Sequence, residues 1–143
     1  MIHRQFLSAQ LALISWREAN HIGGHLAMVK VAYCLSNRFK KHWGTWEWIF
    51  DNTAQFSSKN LDEQKTKGWP HPMDVAWNRL LNEVDGILEG TSPDPTNPNR
   101  DPNGGAVYWG DLNDITRQWF KDEILGKPEH KRVDNVGSLS LWT

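Results

Sequence analysis

Apolar residues at Phe6, Leu7, Leu11, Ile14 and Ala19 recur at the spacing of one helical face, which predicts a helix over residues 4–19 with Glu18 at its close. The spacing resumes through Leu26, Val29, Ala32, Tyr33 and Leu35, so a second helix is expected over 24–39, parted from the first by Gly23 and Gly24. The two would form an antiparallel or crossed pair. Between Trp43 and Phe56 a short helix is expected with Thr45 as its N-cap, followed by an irregular segment ending in Gln-Phe-Ser-Ser and a polar loop over 57–69. The clearest period belongs to Val75, Trp77, Leu80, Leu81, Val84, Ile87 and Leu88, which share one face of a helix that Pro72 would open and Gly90 would end.

The pattern then stops. DPTNPNRDPNGGAVYW, residues 94–109, crowds prolines, asparagines and glycines ahead of a short apolar run, Ala106 to Trp109, that fits a strand. Asp111 to Leu125 is again helical in spacing, with Leu112, Ile115, Trp119 and Phe120 on one side. Farther on, SLSLW alternates weakly and reads as a strand or as a hairpin with residues 106–109. With no internal repeat, the whole chain, 1–143, is expected to be one α+β domain, mostly helical, with a small β-hairpin or sheet.

Composition narrows the partners. Sixteen basic residues against 17 acidic ones leave a net charge of -1, so there is no basic field to hold a phosphate backbone, and nucleic acid is not expected to bind. Apolar runs near the N-terminus are short and broken by Gln10 and Ser15, without a small-residue cleavage site, so neither a signal peptide nor membrane insertion is expected. A monomer is expected. The single cysteine, Cys34, has no partner for an internal disulfide and reads as a small buried hydrophobe. Nine Trp, with 5 Phe and 2 Tyr, provide flat apolar faces of the kind that fill cores and also stack on the C–H face of sugar rings.

Few groups offer chemistry. His21 and His25 are four apart, but Gly23 and Gly24 intervene and no third ligand is spaced to join them, so neither a metal nor any other cofactor is expected. Prolines at 95, 98 and 102 disrupt the alternating oxygens that a calcium loop would need, and the Asn and Asp residues there are expected to cap their own turns. No nucleophile elbow, phosphate-cradling glycine loop or CxxC is present. Glu18 remains. At a helix end beside Trp16 it would hold a proton more readily than in water, as glycosidic cleavage requires at the leaving oxygen, although a helix-end Glu is more commonly just solvated.

Four segments, in order, resemble the SleB-type cell wall hydrolases, the family of the spore cortex-lytic enzymes and their phage and bacterial relatives. They are WREANH with AMVKVAYCLSNRF (16–21 and 27–39), TWEWIFDNTAQFS (45–57), ILEGTSPDPT with GGAVYW (87–96 and 104–109), and VGSLSLW (136–142). The resemblance implies a lysozyme-like, lytic transglycosylase-like fold with Glu18 as the catalytic acid. It places Gln55, Phe56 and Ser57 on a substrate-binding motif and Tyr108 and Trp109 on an aromatic pair lining the sugar cleft. Asn37 and Arg38 match a helix-end pair expected to be structural. The chain departs from the family pattern in the inserted residues 97–103, in Leu139 where a His is usual, in Ala27 where Gly is preferred, and in lacking a second Glu after the catalytic one.

These implications lead to peptidoglycan glycan strands as partner and to cleavage of the MurNAc-GlcNAc bond. With one Glu as acid and then base, the sugar's own 6-hydroxyl would attack and leave an anhydro product, the lytic transglycosylase outcome. A muramidase in which Asp94, Asp101 or Asp111 places a water is the alternative, as is a catalytically silent wall-binding or structural module. A peptidoglycan amidase or peptidase would need metal or Cys/His sites that the residues do not assemble. Action at the cell wall would follow phage-type release or residence in a longer secreted protein.

Overall fold

The computed structural model describes residues 3–51, 68–102, 104–112 and 120–143. Their first element, α1 (Arg4–Lys40), is a helix interrupted at Gly23 (φ -147°, ψ 16°) and Gly24 (φ 64°, ψ -144°), so the two expected helices are joined at the expected break. A left-handed residue without Cβ turns the chain there at little cost. Gly23 serves a different need: a Cβ on it would come within 2.7 Å of the Val136 side chain and 2.9 Å of Ala27 Cβ. Glu18 does not close the first half as expected, because the backbone stays helical for a further turn. Residues 27–38 are buried on every side, since this half of α1 runs through the middle of the molecule.

Helix α2 (Trp46–Asp51) is capped by Thr45, whose Oγ1 accepts from Trp48 N at 3.2 Å, and it docks by stacking Trp46 on Phe39 at 4.7 Å. Helix α3 (Val75–Glu89) starts later than Pro72 suggested. Asp74 is its N-cap, accepting from Trp77 N at 3.0 Å, because a free carboxylate satisfies an orphan amide and Pro72 does not. Gly90 ends it in the left-handed conformation. Trp77, Leu80, Val84 and Ile87 are buried from this helix, whereas Val75, expected on the same face, precedes the point where α3 meets α1 and is exposed.

Among the described residues three short strands form a sheet: β1 (Tyr108–Asp111), β2 (Arg132–Val136) and β3 (Leu139–Trp142), antiparallel in the order β1-β3-β2. Tyr108 lies opposite Trp142 and Trp109 opposite Leu141, and a bulge shifts β2 between Arg132 and Asp134. SLSLW thus pairs with the run ending at Trp109 and also forms a hairpin with β2. Asp111, expected to open a helix, instead ends β1, where the pairing with Leu139 holds it extended. Helical backbone is described from Phe120, and Lys121–Leu125 is a π-helical turn; Ile115 and Trp119 lie outside the described residues.

The chain is therefore α+β, mostly helical, with a small antiparallel sheet. Its core joins Leu11 and Ile14 from the first half of α1, Met28, Val31 and Leu35 from the second, Ile49, Leu80, Val84, Ile87 and Leu139. Each such side chain contributes roughly 1.5–3 kcal/mol by leaving water. Lys30, buried on α1, pairs with Asp134 at the bulge and ties β2 to the helix. Among the described residues no helix is long and apolar enough to cross a membrane.

Candidate active site around Glu18

Sheet and helix meet at Glu18. The half-buried carboxylate lies one turn before the break in α1, and Trp109, from β1, directs its indole Nε1–H at Glu18 Oε2 over 3.5 Å, the outer limit of a hydrogen bond. Behind Trp109 lies Arg38. Its guanidinium carbon is 4.9 Å from the Trp109 ring centre, 5.1 Å from that of Trp43 and 5.6 Å from that of Tyr108. Arg38 Nε also donates to Val107 O at 2.6 Å, which fixes the start of β1 against α1. Burial pulls the guanidinium down to about 10, opposed by Cys34, Tyr108 and Glu18.

Tyr108 faces a different environment. Its ring meets Trp43 at 5.4 Å and His130 edge-on at 5.1 Å, while His130 Nδ1 is held 2.8 Å from Thr143 O. Burial raises the Tyr108 phenol, with Arg38 and Lys127 acting in the opposite direction. Of the expected aromatic pair, Trp109 is beside Glu18, and Tyr108 belongs to the cluster around Trp43 and Arg38.

A groove of about 360 Å³ runs beside α1, lined by Trp16, Arg17, Asn20 and His21. At about 100° per residue Glu18 projects roughly 60° beyond His21, at the edge of that face. Trp16 packs edge-on to Trp77 at 5.8 Å, and Trp69, 57% exposed, packs on Trp77 at 6.3 Å. Arg17 holds this loop in place, donating from Nε and Nη2 to Gly68 O at 3.2 and 2.8 Å.

The segment 94–107 is tied to the same helix. Asp94 Oδ1 accepts from Thr96 N and Thr96 Oγ1, each at 2.8 Å, and its Oδ2 accepts from Asn37 Nδ2 at 2.8 Å. Thr96 Oγ1 in turn accepts from Ala106 N at 3.0 Å. Both Asp94 oxygens are thus engaged in holding the chain. Asp101 sits in an exposed turn closed by Asn97, residues 98–102 are exposed, and Asp111 ends β1. Leu139 is buried in the core.

Gln55, Phe56 and Ser57 lie outside the described residues. Sequence reading missed three members of the site: Trp43, His130, and Arg38 as the platform under Trp109. Asn37-Arg38 was visible as a pair, but nothing local to it indicated an indole 71 positions later. Among the described residues no three His, Cys, Asp or Glu side chains are grouped to hold a metal ion. The chain matches no protein-family model, no curated protein and no solved structure.

Proposed function

We propose that this protein cleaves the glycan strand of peptidoglycan between MurNAc and GlcNAc, on a lysozyme-like fold, with Glu18 as acid and base. One observation carries the reading: a half-buried carboxyl, held by an indole N–H, on the same helical turn as Trp16, Asn20 and His21, which line a groove. Indole faces suit sugar rings, and Asn20 and His21 supply polar groups for hydroxyl and acetamido partners.

The chemistry fits a single carboxyl. Glu18 gives its proton to the glycosidic oxygen as the C1–O bond breaks; the 6-hydroxyl of the same sugar then bonds to C1 and returns its proton to Glu18. A hydrolase would need a second group to activate water, and Asp94 has both oxygens engaged with Asn37 and Thr96. Digestion of purified peptidoglycan followed by mass spectrometry tests this: anhydro-muramic ends are expected, and reducing muramic ends without them refute the transglycosylase outcome. Glu18→Gln should abolish lysis.

The exposed Trp69 also favours a second reading, a wall-binding module without catalysis. In that case wild type and Glu18→Gln would sediment with wall alike and neither would release fragments.

A further inference from the structure

Trp109 has two neighbours of opposite charge. Arg38 lies over its ring at 4.9 Å, and Glu18 Oε2 lies 3.5 Å from its N–H. A cation on the face of an indole draws on the ring's electrons and makes its N–H a better donor, here toward a carboxylate. Arg38 is itself fixed, buried in the second half of α1 and bonded to Val107 O, two residues before Trp109. The pairing of Trp109 with Leu141 sets the indole's position along β1.

We propose that Trp109 is a positioning residue for Glu18 and not a platform for sugar. Arg38 clamps the ring, and the ring's N–H fixes the direction of the carboxyl by holding Oε2. This rests on Glu18 being the acid of the proposed reaction. Trp16, which lines the groove, supplies the stacking surface that the family resemblance had assigned to Trp109. The titratable and charged groups around the pair include Arg38 and His21 from α1, Tyr108 from β1 and, acting on Tyr108, His130, Lys127 and Glu123.

The indole resonances of 15N-labelled protein test the contact without relying on lysis. The Trp109 Nε1–H signal, assigned by its loss in Trp109→Phe, should move with pH as Glu18 takes up its proton, and Glu18→Gln should remove that step. A Trp109 signal indifferent to pH, or one whose step survives Glu18→Gln, overturns the proposal. In lysis assays Trp109→Phe should lower kcat about tenfold with KM unchanged, as for a group that orients the acid; a raised KM with kcat retained would return Trp109 to a sugar contact and also overturn it. Should the indole step appear in a protein that releases no wall fragments, positioning stands and the enzymatic reading fails.

Discussion

Asn37 donates from one amide nitrogen both to Asp94 Oδ2 at 2.8 Å and to Ala106 O at 3.0 Å, and so joins the C-terminal end of α1 to the two ends of a proline-rich loop. Asn37→Ala leaves a buried carbonyl and a carboxylate oxygen short of a donor, and should cost about 2–3 kcal/mol. Urea denaturation reads this directly. An unchanged midpoint would mean that water replaces the amide and that the loop is not held through Asn37.

Gly24 stands at φ 64° with nothing within 4 Å of where a Cβ would go. Any loss of stability in Gly24→Ala therefore reports backbone strain and not collision, and about 1–3 kcal/mol is expected. For a chain of this size that is a fall in Tm of roughly 2–4 °C per kcal/mol. A Tm equal to wild type would show that the break tolerates an ordinary residue.

Lys30 and Asp134 form an ion pair in which the lysine is buried. Removing one partner strands the other charge, so Asp134→Ala should destabilise by about 3 kcal/mol, while Lys30→Met with Asp134→Ala should recover much of that. Thermal melts of the two variants check the prediction; a double variant weaker than the single one would contradict it.

Cys34 is fully buried, and burial raises its thiol well above the ordinary value of 9.0, with Arg38 pulling the other way. A thiol raised in the folded state stabilises the fold fully below its unfolded value and ceases to do so as pH climbs past it. Stability should therefore decline from about pH 9, by at most about 1.4 kcal/mol per pH unit for one proton. Above about 10 Arg38 acts oppositely, since its lowered value makes the unfolded chain hold its proton longer. Cys34→Ala should flatten the decline between 9 and 10, as guanidinium titrations at stepped pH would show. In the native protein the thiol should react with a thiol reagent only as fast as the fold opens.

The helices were legible where the pattern is local. Gly23-Gly24, Thr45 and Gly90 act through their own backbone or that of their neighbours, and each stands where the sequence placed it. Pro72 misled because its preference for a first helical position competed with Asp74, whose carboxylate reaches Trp77 N. Asp111 misled for a different reason: a helical spacing of Leu112, Ile115, Trp119 and Phe120 cannot reveal that Leu139 pairs with Asp111. Glu18 was readable as a carboxyl beside Trp16. Its contact with Trp109 spans 91 positions and follows from the sheet register, which no short stretch encodes.

The middle strand of the sheet, β3, is also its last in chain order. During synthesis β1 and β2 emerge with no neighbour to pair with, and Trp109 has no register until Leu141 arrives opposite it. A nascent chain that has not yet reached Leu139 carries its carboxyl on α1 without the indole held against it. The order of translation thus delays assembly of the site until the chain has been made through Leu141.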